Sequence, residues 1–345
     1  MRINTTITNP ERILIFSHDN KIGDAVLLNS LIKPLKQQWV SCLIDVAAGK
    51  NNAAIWQANP DINKVFIIPS RSVLTRFWCG LKLSRSNYSI AIVTSGEHQG
   101  KSFSIMRWAA RIKRILWIST TPVGRKNDIL IIRNWDDGHF LDRCQAVLDT
   151  ILSAPVKVKP QLSLPQDSIN FANEYWRNTH SSDYTKILLN SGASGDDRRL
   201  SPPKVLLICD SIFAIAPKVL LHIISQNTKH ASDLKKELNS SKHSNQIFIT
   251  PPKKNILDVA ALIRDCDVLI SPDTFAIHIA SAFNTPVVAI FIAPAAIISW
   301  SPKSEINRLL IANKKVDNID PNQVARATRD IINTLNFHID KSQSI

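Results

Sequence analysis

The feature that most constrains this chain is a recurrence of short, uninterrupted apolar runs. Ile13–Phe16, Ile90–Val93, Ile187–Leu189 and Pro286–Phe291 are examples, and stretches of helical pattern lie between them. A strand covered on both faces needs no polar side, so such runs mark parallel sheets sandwiched by helices. The alternation predicts βα units. At 345 residues and 44% hydrophobic composition the chain is long and apolar enough for two cores of ordinary size.

Read in order, a polar leader (Met1–Pro10) precedes strands expected at Arg12–Ser17, Leu43–Ala47, Val65–Ile68 and Ile90–Thr94, with a helix from Ala25 to Gln38. A helix at Leu141–Leu152 leads to a stretch with three prolines, Ser153–Pro165, which reads as linker. A second series follows, with strands at Ile187–Leu189, Val219–Ile224, Gln246–Ile249, Val268–Ile270 and Val287–Phe291 and helices between them. The expected fold is α/β: two Rossmann-like domains with parallel sheets facing a central cleft. Residues 1–160 form the first domain, 161–185 a linker region, 186–320 the second domain, and 321–345 a C-terminal helix and tail. Val205–Ile224 is long enough to span a bilayer, but Asp210, Pro217, Lys218 and His222 lie within it. It reads as a helix, a break at Pro217, and a strand.

Several functional classes are disfavoured. Glycine occurs nine times, and neither G-x-G-x-x-G nor G-x-x-x-x-G-K-[ST] is present, which argues against a standard dinucleotide dehydrogenase or P-loop enzyme. The five cysteines form no C-x-x-C pair, and nothing ahead of the first strand reads as a signal peptide; a reducing cytoplasm with cysteines as core fillers, and no structural zinc, is the expectation. The net charge of +14 draws on Arg71, Arg76, Lys82, Arg85, Lys101, Arg107, Arg111 and their neighbours in the first half. Such a field attracts nucleic acid, an anionic membrane or an acidic substrate. No aromatic-basic signature points to nucleic acid.

Ligands of open α/β sheets sit beyond the carboxyl ends of strands, where loops feed helix N-termini. Three such loops stand out. In Asp267–Phe291 (DVLISPDTFAIHIASAFNTPVVAIF) a strand ends at Ser271, Asp273 is an expected N-cap, and Thr274 and His278 fall four apart on one helix face. An N–H array flanked by a hydroxyl and an imidazole suits a diphosphate. Taken alone, D-T-x-x-x-H is equally a helix cap followed by a core histidine. In Arg12–Lys36, Gly23-Asp24 places a carboxylate at a strand-to-helix junction with Lys21 close by; a turn glycine and a helix cap would look the same. In Ile187–Leu206 (ILLNSGASGDDRRLSPPKVL) a strand runs into a small-residue loop and an arginine pair, which is also how a charged turn reads.

Taken together and in this order, these segments resemble glycosyltransferase family 9, the ADP-heptose:lipopolysaccharide heptosyltransferases. Asp273, Thr274 and His278 match its D-T-G-x-x-H-[LI]-A segment, with Phe275 where the family commonly has Gly. Gly23-Asp24 resembles its N-terminal G-D signature. Asn190, Gly192, Ala193 and Ser194 match its N-P-G-A-S loop, and Arg198 takes the family's Lys position. Gly138–Leu148 looks like its H-x-x-D-R-x-x-x-L stretch. The resemblance implies a GT-B fold and inverting transfer of heptose from ADP-heptose to the inner core of lipopolysaccharide. It implies Asp24 as general base and Arg198 as the group that offsets leaving-group charge. Asn190, Gly192, Ser194, Asp273, Thr274 and His278 would bind the nucleotide sugar, with Lys21 and Arg143 on the acceptor side. No cofactor or metal is implied. The acceptor is anionic, so attachment to the cytoplasmic face of the inner membrane is expected, without nucleic acid. Two alternatives share the fold: a transferase or epimerase using another nucleotide sugar, and a binding protein with a degenerate site.

Overall fold

The computed structural model describes residues 7, 9–68, 72–94, 100–134, 138–179, 183–225, 227–252 and 255–342. Arg71 and most of the polar leader lie outside them. The chain divides into two compact units, Met1–Ser163 and Leu164–Ile345.

In the first unit the strands are β1 (Arg12–Ser17), β2 (Leu43–Ala48), β3 (Ile62–Ile67), β4 (Ile90–Val93), β5 (Ile115–Ser119) and β6 (Ile129–Ile132). They form one sheet in the order β3-β2-β1-β4-β5-β6, parallel throughout. The order reverses between β1 and β4, which are both buried along almost their whole length. Six helices accompany the sheet: α1 (Ile22–Leu28), α2 (Ile32–Gln38), α3 (Ala53–Gln57), α4 (Val73–Ser84), α5 (Lys101–Ala109) and α6 (Phe140–Ile151). The helix expected at Ala25 starts at Ile22, so Asp24 lies inside its first turn. A 3₁₀ turn at Asn29–Leu31 separates α1 from α2. The one carboxylate in the apolar β2, Asp45, is fully buried; Arg12 (3.0 Å), Asn63 (2.7 Å) and Tyr88 (2.9 Å) donate to it. It ties three strands together, as a buried charge must be paired to persist.

The second unit repeats the plan. β7 (Thr185–Asn190), β8 (Val219–Ile224), β9 (Ile247–Ile249), β10 (Val268–Pro272), β11 (Val287–Phe291) and β12 (Asn307–Ile311) form a parallel sheet in the order β12-β11-β10-β7-β8-β9. Its helices are α7 (Gln166–Asn178), α8 (Pro202–Ile215), α9 (Thr228–Leu238), α10 (Ile256–Asp265), α11 (Phe275–Phe283), α12 (Pro294–Trp300) and α13 (Pro321–Ser342). The chain does break at Pro217 between α8 and β8. Within 161–185, read above as linker, α7 is a helix that packs on α10, and Ser168 donates to Asp258 at 2.7 Å. α13 packs against α8. On one face of the sheet, a core dominated by Ile, Leu and Val joins β7, β8, β10 and β11 to α8, α9 and α13.

Candidate functional site

Each sheet reverses its strand order once, and there adjacent loops diverge to open a crevice at the carboxyl ends. In the second unit the reversal lies between β7 and β10. Asn190 ends β7, is 3% exposed, and spends its amide across that gap: Nδ2 donates to Ser271 Oγ (3.1 Å) and to Thr274 Oγ1 (3.0 Å). Its Oδ1 accepts from Gly192 N at 3.2 Å, turning the following loop. Asn190 therefore joins the two loops that the sequence analysis assigns to phosphate.

Thr274, not Asp273, is the N-cap of α11; its hydroxyl accepts from Ala276 N at 3.3 Å. Asp273 stands one residue before the cap, its N–H still in the sheet ladder with Ile290 O (3.0 Å). Arg198 meets Asp273 from the opposite loop. Its Nη1 donates to the Asp273 carbonyl at 2.9 Å and stands 3.8 Å from the carboxylate, while Nη2 donates to Ser194 Oγ at 3.3 Å. Burial lifts the Asp273 carboxyl above its usual range, and the Arg198 guanidinium partly offsets that rise. Asn190, Ser194, Arg198, Asp273 and Thr274 thus form one cluster at the mouth of α11. The positive end of the helix dipole and a guanidinium together suit an anion. Phe275 occupies the first helical position and is not among the residues with positive φ, so replacing glycine there strains no backbone. His278 lies one turn further along, 4% exposed, with its ring edge-on to Trp300 of α12 at 5.8 Å.

In the first unit the reversal is between β1 and β4. The β1–α1 loop is held by a residue the sequence analysis did not single out. Asn52, fully buried, donates to Ser17 O (2.8 Å) and Lys21 O (3.2 Å) and accepts from Gly49 N (2.9 Å). It fastens both ends of the loop to the β2–α3 turn. Asn20 sits there at φ 64°, and a Cβ on Gly49 would stand 2.4 Å from its side-chain oxygen, so only glycine fits. Asn before a short helix reads as a cap in sequence, which hid this role. Lys21 is the exposed N-cap residue of α1, and Asp24 follows, 8% exposed. Arg143 is buried on α6, its guanidinium 5.1 Å from the Phe140 ring centroid. Asp24 and Arg143 act with opposite sign on the buried Cys144 thiol. Burial pushes that thiol up to about 12, Arg143 opposing the rise and Asp24 adding to it. His139 caps α6 through a capping box with Asp142. Among the described residues no group of three or more His, Cys, Asp or Glu is arranged to hold a metal ion.

Residues 215–324, which run from the end of α8 into α13 and include Asp273, Thr274 and His278, match the model of Glycosyltransferase family 9 (heptosyltransferase). That match covers under a third of the chain and shows a likeness to the family over that segment alone. The family 9 match stops short of Asn190, Ser194 and Arg198, which the hydrogen bonds above attach to it. A curated relative, Lipopolysaccharide heptosyltransferase 1 of Campylobacter coli, is 24% identical over 132 residues, 38% of this chain and 38% of that protein. The match thus spans well under half of that relative's length. Two solved structures extend the likeness along the chain. E. coli ADP-heptose lps heptosyltransferase II superposes with a TM-score of 0.74 at 15% identity, covering 94% of this chain and 99% of that one. A glycosyl transferase family 9 protein of Veillonella parvula DSM 2008 gives 0.78 at 14% identity, covering 96% and 98%. At such identities what is shared is the fold, an α/β fold of GT-B type.

Proposed function

We propose that this chain is an inverting glycosyltransferase that moves heptose from ADP-heptose to the inner core of lipopolysaccharide. The observation that carries the reading is the Asn190–Ser271–Thr274 clamp with Arg198 on Asp273, built at the strand-order reversal of the unit that contains the family 9 segment. In this reading the diphosphate of the donor lies against the start of α11. The helix N–H groups, Arg198 and His278 take its charge as the anomeric bond breaks, so the reaction needs no metal ion or other cofactor. Asp24 accepts the proton of the acceptor hydroxyl as that oxygen attacks the anomeric carbon from the face opposite the leaving ADP. Inversion follows from that geometry of attack. Lys21 and Arg143 answer the phosphates and carboxylates of an anionic core acceptor. Such an acceptor is presented at the cytoplasmic face of the inner membrane. No helix among the described residues is long and apolar enough to cross it, so association would be peripheral.

The test is turnover of ADP-heptose with a deep-truncated lipopolysaccharide acceptor, comparing wild type with Asp24→Ala and Arg198→Met. Loss of a general base costs about 10²- to 10⁴-fold in rate with donor binding retained. Arg198→Met is expected to weaken ADP-sugar binding as well. Undiminished product with Asp24→Ala removes Asp24 as the base, and absence of both binding and turnover with ADP-sugars removes the donor assignment.

A further inference from the structure

α4 presents an inverted amphipathic pattern. Arg76 is buried at 4% exposure, whereas Leu74 and Trp78 are 66% and 58% exposed. Leu74, Trp78 and Leu81 recur at i, i+4 and i+7, so they form one outward stripe, and Lys82 and Arg85 continue it by the same spacing. α5 lies beside α4 and carries Trp108, 66% exposed, with Lys101 two turns earlier on the same face. The two helices are pressed together at Gly80, where a Cβ would stand 2.6 Å from Ala109 Cβ and from the Met106 carbonyl. Phe77 bridges the tryptophans, its ring 5.8 Å from Trp78 and stacked 6.3 Å from Trp108. The result is one rigid aromatic-aliphatic strip.

Tryptophan is ordinarily well buried, and an exposed apolar strip of this kind marks an interaction surface. Charge selects the occupant. From Ser72 to Asn127 the chain has ten lysines and arginines and one carboxylate, Glu97. Neither α4 nor α5 contains an acidic residue. Exposed indoles with aliphatic neighbours and a cationic border match the headgroup region of an anionic bilayer, where amphipathic rings settle and basic side chains meet lipid phosphates. A platform for stacked bases would not need the exposed Leu74 and Leu81 beside its rings.

We infer that the paired outer face of α4 and α5 is a membrane-docking surface that inserts Leu74, Trp78 and Trp108 into the interface of an anionic lipid leaflet. The inference rests on the proposed function only in placing the acceptor at a membrane. Its test is co-sedimentation with phosphatidylglycerol/phosphatidylethanolamine vesicles and with phosphatidylcholine vesicles, alongside turnover on a detergent-free, deep-truncated acceptor. Wild type is expected to prefer the anionic vesicles, and the double variant Trp78→Ser/Trp108→Ser to bind them about tenfold or more weakly. Trp78→Phe/Trp108→Phe should retain most binding. Lys82→Glu/Arg85→Glu should lose it without touching the aromatic strip, which guards against a misfolded serine variant. Equal binding to neutral and anionic vesicles, or undiminished binding by both the serine and the glutamate variants, overturns the inference. So does self-association, or binding to single-stranded polynucleotide, that depends on the same residues while vesicles are ignored. Vesicle binding through these residues without any glycosyl transfer sinks the proposed function and leaves the docking surface standing.

Discussion

Asn52 and Asn190 do similar work in the two units, each spending a buried amide to hold loops at a strand-order reversal. Asn52→Ala would remove its bonds to the Gly49 N–H and the Ser17 and Lys21 carbonyls, which keep backbone bonds of their own, at a cost of about 1–2 kcal/mol. Since that loop leads into Asp24, turnover should drop by on the order of tenfold or more with ADP-sugar affinity kept, which calorimetry and initial rates separate. A different buried residue sets a pH response. His222 has no exposed surface, shares a 2.9 Å hydrogen bond with the Tyr175 hydroxyl, and stacks on Phe248 at 5.0 Å. Burial, with Lys186 adding to it, lowers its pKa to about 3. The unfolded chain takes up this proton near pH 6.5 and the folded one does not, so stability falls as pH drops from 6.5 toward 3, by up to about 1.4 kcal/mol per pH unit. His222→Gln, which keeps an acceptor for Tyr175, should flatten that limb in urea unfolding followed against pH.

At the scale of elements, Gly80 shows how little freedom the α4–α5 contact has. Alanine is the better helix former by about 1 kcal/mol. Yet its methyl would meet Ala109 Cβ and the Met106 carbonyl at 2.6 Å. Gly80→Ala should therefore destabilise the first unit by about 1–3 kcal/mol in chemical denaturation, against the propensity scale. The same pair explains where sequence reasoning ran out. Central elements were legible: β1, β8 and β11 carry the bounds read from their apolar runs, because strands buried on both faces leave one interpretation. α4 and α5 were not, since their outward Leu and Trp scramble the amphipathic signal. β12, a sheet edge with mixed burial, lacks a clean run, whereas the ILII run of β6 was passed over. At the α11 start, Asp and Thr are both good caps, and the hydrogen bond from Ala276 N to the Thr274 hydroxyl decides between them.

For the whole molecule, two sheets with the same strand order share one plan. One core cluster of the second unit, on one face of its sheet, draws on residues 187–331. A fragment from Leu164 onward should fold cooperatively and bind ADP, as judged by a single melting transition shifted upward by the nucleotide. A fragment that melts without cooperativity, or is unmoved by ADP, would count against an autonomous donor unit. The family resemblance was read from motifs that fall at loop starts in order, and the family model matches it over residues 215–324, whereas Asn52, Gly49 and the tryptophan strip belong to no motif and needed coordinates.

The Asn190 clamp also bears on time. Its partners lie 81 and 84 residues further along the chain. No local segment can prebuild it, and β7 must already be aligned beside β10, with the whole β8–β9 excursion accommodated, before the amide finds both hydroxyls. Long-range closures of this kind come late in folding. A newly made chain will hold most of its helices and strands before this clamp closes.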